Sequence, residues 1–329
     1  MITTLRAGAL SPEAVDAALA RTGGFLLDAR ATDLPWASAL GSAYSLFESP
    51  REAKIDLAIE RSPHHRGWSE MHNERDWREQ LHLGRELPSP GASPPFLRLE
   101  GPNLWPRDPA WREVVAAYMN GAAALGEAIL GHVAKALGLT GDPFHGVARD
   151  GYLVMKMIGY HPQQTAAARP GVAPHVDFSW LTLTLQDSRG LSVRPPGEDW
   201  TIIEPQPGLL WVHAGELLQF ASGGRYLALP HRVINQSIDR TRVSIPLFLN
   251  PPLRGLVPVF SAGGARGADA PSEPADSAEH VHRVLTPDAP VAPFHFGEAE
   301  WRRKGQWLVR HLLTAGVGVA PVPSEIMSS

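Results

Sequence analysis

A mainly β chain with flanking helices, wound into a double-stranded β-helix (a distorted jelly roll), is predicted by three observations. From Gly151 onward eight short apolar segments follow one another, at 152–160, 180–186, 190–194, 200–204, 209–213, 217–220, 231–235 and 242–249, separated by Gly/Pro turns. Among them the period of two is explicit: Leu181, Leu183 and Leu185 alternate with Thr182, Thr184 and Gln186. Ahead of them lies one long helical pattern. It opens at Asp108-Pro109 and runs to about Leu137, with Trp111, Val114, Val115, Tyr118, Leu125, Ile129 and Val133 along one broad face. Eight short strands suit two facing sheets whose mouth can hold a metal and a ligand, and a long amphipathic helix commonly braces one face of such a sheet.

The elements follow in order. Ser11-Pro12-Glu13 opens a helix with Ser as N-cap and Pro at the first helical position, and Gly23-Gly24 closes it. Phe25-Leu26-Leu27 reads as a strand, and Ser49-Pro50-Arg51-Glu52 as a capping box. After the 108–137 helix and the strand region, Ser261 to Asp276 is rich in Gly, Ala, Ser and Pro and reads as a mobile loop. A capping helix is expected around Glu298 to Leu313. The chain thus divides into an N-terminal helix and strand region (1–140) packing on the barrel, a jelly-roll core (150–255), and a C-terminal loop and capping helix (256–329). These form one structural domain, for which a hydrophobic content of 43% supplies ample core.

Composition narrows the function classes. The net charge is −4 and basic residues are scattered, so no nucleic-acid partner is expected. There is no cysteine, which excludes disulfides, thiolate metal sites and iron–sulfur clusters. The first residues lack a basic start followed by a long apolar run, and no stretch approaches ~18 uninterrupted apolar residues, so neither a signal peptide nor a membrane span is expected. The expectation is a cytoplasmic protein acting on a small molecule. Arginine far outnumbers lysine and alanine is abundant, a composition suggesting a GC-rich bacterial gene.

Two constellations carry chemistry. His175-x-Asp177 precedes the alternating strand, and His231 follows further along. Residues i and i+2 of a strand share a face, so His175 and Asp177 should project together with Val176 behind them in the core. Two histidines and one carboxylate form the facial triad that holds non-heme Fe(II) with positions left open. A His-x-acid pair alone is weak: with 14 histidines and 34 acidic residues in 329 positions, roughly one or two arise by chance. His72-Asn73-Glu74, in a polar stretch, is such a decoy. The second constellation is Arg242-x-Ser244, whose guanidinium fork and hydroxyl can converge on one carboxylate. A zinc hydrolase would also use two His and an Asp, but it would want a general base and no carboxylate clamp.

From about Tyr152 to Pro251 these blocks, in this order, resemble the isopenicillin N synthase-like branch of the 2-oxoglutarate/Fe(II) dioxygenases. MKMIGYHPQQ (155–164), PHVDFSWLTLTLQD (174–187), GLSV, Trp200, PGLLWVHAGELLQFASGGRY, HRVIN and RVSIPLFLNP match the family's blocks, and GGFLLDAR, SPREAKIDLA, HRGWSE and DWREQLHLG match its amino-terminal region more loosely. The resemblance implies that His175, Asp177 and His231 bind Fe(II), and that Tyr160, Arg242 and Ser244 hold the distal carboxylate of 2-oxoglutarate. It also implies O2 as the other co-substrate and oxidation of an unactivated C–H bond, by hydroxylation, desaturation or cyclisation. Arg66, Trp68, Asn73, Trp77 and Phe248 are its substrate-binding candidates. Ile158 stands where the family often has Asn, and His213 and Glu216 where Asn and Asp are usual. His161 and His213 are expected beside the site as packing or supporting groups. His64, His65, His72, His82, His132, His145, His280, His282 and His295 are expected in solvent or at caps. Two other readings remain at this stage: an Fe(II) oxidase of the isopenicillin N synthase or aminocyclopropane-carboxylate oxidase type that uses no 2-oxoglutarate, and a non-catalytic jelly-roll binding module.

Overall fold

The computed structural model describes residues 2–91, 93–162, 170–235, 237, 239–260 and 292–304. Its helices are α1 (Pro12–Thr22), α2 (Trp36–Phe47), α3 (Arg51–Lys54), α4 (Pro109–Ala136), α5 (Val147–Asp150) and α6 (Glu216–Ala221). The strands of the first half are β1 (Thr4–Arg6), β2 (Gly24–Asp28), β3 (Gly67–His72) and β4 (Trp77–Gly84). Those of the second are β5 (Val154–Tyr160), β6 (Pro170–His175), β7 (Leu181–Gln186), β8 (Leu191–Val193), β9 (Thr201–Ile202), β10 (Leu209–Ala214), β11 (His231–Ile234) and β12 (Arg242–Leu249). A short pair, β13 (Leu256–Val257) with β14 (Phe294–His295), closes the described chain, followed by helix at 296–304.

Local signals act as expected at most ends. The Ser11 hydroxyl accepts from the Ala14 amide at the start of α1, and Gly23 ends the helix in the left-handed conformation at φ 69°. Asp108 caps α4 through the Ala110 amide. Ser49 does not form the expected capping box: its hydroxyl turns back to the Leu46 carbonyl, and Pro50 heads the four-residue α3 without a side-chain cap. The final turn of α2 has claimed that donor first.

Two sheets face each other. The large one has eight strands in the order β1-β2-β10-β7-β12-β5-β4-β3, and the small one four, β6-β11-β8-β9. The jelly roll proper is the four central strands β10, β7, β12 and β5 against the small sheet. The N-terminal region does more than pack on this barrel, because β1 and β2 extend the large sheet on one side and β3 and β4 on the other. The count of eight strands between β5 and β12 equals the expected number, but two segments differ. Residues 217–220 lie in α6, since Gly215 breaks the extended run and the Glu216 amide bonds the Asp177 carbonyl. Pro170–His175 is a strand although prolines at both ends hide its pattern.

Strand alternation assigns the two faces of the large sheet. Leu181, Leu183 and Leu185 of β7 and Val243, Ile245, Leu247 and Leu249 of β12 enter one core with α1, α2 and α4. The opposite residues look toward the small sheet, where Ile158, Tyr160, Leu191, Val193, Ile203, Trp211, Leu229 and Val233 make a second cluster. Among the described residues α4 alone is long and apolar enough to cross a membrane by composition; here it packs on β7, β12, α1 and α2. Of the C-terminal expectations, 261–276 lies outside the described residues, and the helix expected at 298–313 is described as far as residue 304.

Helix α4 packs tightly on the sheet at Gly126, where an added Cβ would lie 2.5 Å from Leu249 Cδ2 and 3.3 Å from Leu183 Cδ1. Gly126→Val should therefore overpack this contact and lower stability by about 1–3 kcal/mol, read as a lower urea midpoint with an unchanged m-value.

Candidate active site

The cleft between the sheets is organised by one cross-strand pair. β6 and β11 are antiparallel, and their register sets His231 opposite His175 with ring centroids 4.2 Å apart. Strand β6 ends at His175, and Asp177 follows two residues on, ahead of the bend at residues 178–180. His175 and Asp177 project together as the i, i+2 spacing predicts, although Val176 is half-buried rather than in the core. Asp177 Oδ1 lies 3.5 Å from His175 Nε2 and 3.6 Å from His231 Nε2. One ligand atom from each of the three falls within 4.8 Å of the others, the sole such cluster among the described residues.

The backbone prepares these donors. His175 Nδ1 lies 2.9 Å from the Ala173 carbonyl and His231 Nδ1 3.0 Å from the Leu229 carbonyl. A carbonyl can only accept, so each Nδ1 carries the proton and each Nε2 presents its lone pair to the cluster. Burial, then the neighbouring His231 ring, holds His175 well below the ordinary histidine range and so neutral. Burial alone would raise the Asp177 pKa, but His231, His213 and His175 together with the Thr182 hydroxyl, 2.7 Å from Oδ2, bring it below the usual carboxylate range. Two imidazole nitrogens and one ionised carboxylate on one side of a cleft fit a divalent iron. His213 Nε2 stands 3.4 Å from Asp177 Oδ2, the supporting place expected for it.

Along the large sheet, Arg242, Ser244, Pro246 and Phe248 share a face of β12 and line the same cavity as the triad, with Ile158, Tyr160, Thr182 and Thr184. Arg242 is fully buried and pairs across strands with Tyr160, its guanidinium 4.8 Å over that ring. Its Nη2 donates to Gln186 Oε1 at 2.8 Å, and its Nε to the Ser188 and Arg189 carbonyls at 3.2 and 3.0 Å. Gly190, at φ +151°, makes room for this docking, because a Cβ there would lie 2.7 Å from Arg242 Nε. Only Nη1 is buried without a partner. A fixed cation with one unused donor, beside the Ser244 and Tyr160 hydroxyls, is the chemistry of a carboxylate seat. Ile158, the cross-strand neighbour of Ser244, packs into the inter-sheet cluster and offers no polar contact.

Of the five substrate candidates, Phe248 lines the cavity and the other four do not. Arg66 is buried against Gly84, donates to the His64 carbonyl and lies over Tyr152. The Trp68 indole donates to Glu79, itself bonded to Lys54 at 2.7 Å and to His161 at 2.5 Å. Asn73 accepts from the Arg75 and Asp76 amides in the β3–β4 turn, and Trp77 stacks on His72. These residues serve the hairpin and its seat rather than the cavity wall. His64, His65 and His82 also depart from expectation: His64 and His82 are buried and His65 half-buried, with His64 bonding Arg98 and Ser89 and His82 Nδ1 3.2 Å from His65 Nδ1. His280 and His282 lie outside the described residues.

Two cavity residues escape the sequence reading, Arg78 and Lys156. Lys156 shares its strand face with Ile158 and Tyr160, so period two could have found it. Arg78 could not be found this way, because only the β4–β5 pairing brings it to the wall. Burial, then the Arg78 guanidinium, pushes the Lys156 ammonium down to about 7.

Comparison with known proteins agrees with this geometry. Residues 149–251 match the 2OG-Fe(II) oxygenase superfamily, and residues 10–108 the family described as the N-terminal region of non-haem dioxygenases in morphine synthesis. A homoarginine-6-hydroxylase of Oryza sativa subsp. japonica is 30% identical over 256 residues, 73% of this chain and 77% of that one. A 2-oxoglutarate-dependent dioxygenase of Dothideomycetidae sp. is 31% identical over 223 residues, 64% of this chain; the match spans 60% of that relative's length. The crystal structure of a 2OG-Fe(II) oxygenase family protein from Caulobacter crescentus shares the fold at a TM-score of 0.68 and 24% identity, covering 80% of this chain and 91% of that one.

Two outcomes follow from the site. Asp177→Ala removes the anionic ligand, so stoichiometric Fe(II) binding should be lost when titrated anaerobically; undiminished affinity would refute the triad. Lys156, with its pKa lowered to about 7 from 10.5, gives up protons on folding between those values, so its penalty is complete below pH 7 and relieved as pH rises toward 10.5. The metal-free Lys156→Met variant should thus unfold at a higher temperature than the parent at pH 6, with the gap narrowing as pH rises.

Proposed function

Because the chain belongs to the 2-oxoglutarate/Fe(II) oxygenase superfamily, we propose that it is a 2-oxoglutarate- and O2-dependent dioxygenase oxidising an unactivated C–H bond of a small molecule. The observation that carries the proposal is the union, in one cavity, of the His175/Asp177/His231 cluster with the partnerless Nη1 of Arg242. A binding module would need neither an open metal face nor a buried cation with a spare donor.

His175, Asp177 and His231 would hold Fe(II), which with 2-oxoglutarate and O2 supplies the oxidising power as the co-substrate loses CO2 to become succinate. The protein's own residues then orient and shield. Arg242 presents Nη1, and Ser244 and Tyr160 their hydroxyls, to the distal carboxylate. Gln186 and the Ser188 and Arg189 carbonyls hold the guanidinium so that it does not swing when the anion arrives. Thr182 fixes the outer oxygen of Asp177, leaving the inner one for metal. Val172, Leu191, Val233, Pro246 and Phe248 supply an apolar wall that excludes water from the reacting centre. Hydroxylation, desaturation and cyclisation all begin with the same removal of a hydrogen, and these residues suit each. We place the enzyme in the specialised metabolism of a bacterium, on its Arg-rich, Ala-rich composition, and in the cytoplasm, where ferrous iron and 2-oxoglutarate are at hand.

Arg242→Leu should raise the apparent KM for 2-oxoglutarate by roughly two to three orders of magnitude, the effect of removing one partner of a buried charge pair. Fe(II) affinity should stay near that of the parent, since no ligand is touched. Full turnover in preparations freed of 2-oxoglutarate, with no succinate formed, would instead favour the oxidase, a reading to which the apolar Ile158 lends some weight.

A further inference from the structure

The cavity has one cation more than its chemistry uses. With the site occupied as proposed above, the divalent metal and Arg242 together balance Asp177 and a dianionic 2-oxoglutarate. Arg78 is paired with Asp76 at 3.0 Å, and Lys304 and Arg303 with Glu300 at 2.5 and 2.9 Å. Lys156 is left over. Among the described residues no carboxylate or carbonyl accepts from its ammonium, which lies 5.4 Å from the centroid of the Phe248 ring. The chain has only four lysines. Lys54 is buried against Glu79, Lys304 is bound to Glu300, and Lys135 stands at the end of α4. An unpaired lysine in a cavity wall is therefore out of character for this sequence.

Its surroundings define what it would take. Lys156 lies four residues from Tyr160 on the same face of β5, so it occupies the other end of the wall from the Arg242–Tyr160 pair. Arg78, 93% buried and also in the wall, keeps Nε without a partner, and its Nη2 meets only the Met71 sulfur at 3.5 Å. In the β4–β5 pairing Arg78 continues to the Tyr160 end of the wall, so Lys156 is the cation next to the apolar surfaces of Phe248 and Pro246. Burial and the Arg78 charge already depress the Lys156 ammonium; an anion docked on it would offset the charge excess and supply the missing hydrogen bonds.

We propose that the substrate is an acid whose carboxylate docks on Lys156 and whose apolar part lies on Phe248 and Pro246, turning a C–H bond toward the His175/Asp177/His231 cluster. This rests on the dioxygenase reading for the identity of the other ligands, and it names the substrate class of that site. Lys156 is a specificity-determining group, and it does not take part in the oxidation.

The test is calorimetric and needs no turnover. Protein loaded with Fe(II) and 2-oxoglutarate without oxygen is titrated with acetate, phenylacetate and 3-phenylpropionate, and with the matching uncharged amides. At least one aryl acid should bind about 10-fold or more tightly than its amide, the worth of hydrogen bonds to a charged group. Lys156→Met should erase that preference without changing amide binding, and Lys156→Arg should restore most of it. The affinity for 2-oxoglutarate should be the same in all three proteins. Equal acid binding by the parent and Lys156→Met, or no acid binding at all, overturns the proposal. So does a loss of 2-oxoglutarate affinity in Lys156→Met, which would assign the cation to the co-substrate. Failure of the dioxygenase reading looks different: the parent would then not bind 2-oxoglutarate, while a Lys156-dependent, Arg242-independent acid preference could still be read in the metal-loaded protein.

Discussion

The Asp177 carboxylate is the constraint around which the rest of this structure is arranged. It is an ionised group in the interior, and such a group persists only if paired and hydrogen-bonded. The Thr182 hydroxyl meets one oxygen, His213 stands beside the same oxygen, and the other faces the imidazoles of His175 and His231. Burial keeps His175 neutral, so full compensation of the charge is left to a cation that all three can share. The strand pairing and one backbone hydrogen bond make this possible: β11 sets His231 opposite His175, and the Glu216 amide holds the Asp177 carbonyl. An apolar replacement of comparable volume would suit the core better. The site is a place where stability has yielded to binding chemistry.

A second consequence of the architecture is the strict division of labour across the large sheet. Each central strand carries an apolar set facing α4 and a functional set facing the small sheet. The large core with the helices fixes the sheet, and the sheet fixes Arg242, Ser244, Tyr160 and Lys156 without relying on loops. Placement on strands gives these groups the precision that a clamp for a small anion demands. Arg242 illustrates how much of the surroundings this takes: a side-chain amide, two backbone carbonyls and an aromatic face hold it, and a glycine is needed where the chain passes its guanidinium.

Much of this was legible in the chain. The alternation of Leu and Thr from 181 to 185, the caps at Ser11 and Asp108, and the short motifs bearing His175, Asp177, His231 and Arg242 all act locally, through periodicity or a single hydrogen bond. Local physics is what a sequence displays. Where the reading erred, the deciding force was not local. Residues 217–220 have the apolar run of a strand but become helical because Gly215 and the Asp177 carbonyl start a turn there. Pro170–His175 pairs as a strand through its neighbours and in spite of its prolines. Trp68 and Arg66 are bound inside by Glu79, Tyr152 and Gly84, partners distant in sequence.

The class of fold and the types of ligand are written in the chain itself, because strand period and residue chemistry are properties of short segments. How those pieces meet is settled by packing and pairing between distant segments. Register chose which histidine faces which, and the β4–β5 pairing carried Arg78 to a wall that Lys156 already occupied. A net charge of −4 says nothing about a surplus cation inside a cavity. That surplus exists because folding brings some charges together and leaves one apart, and the distances that decide it are set by the packing of the two sheets.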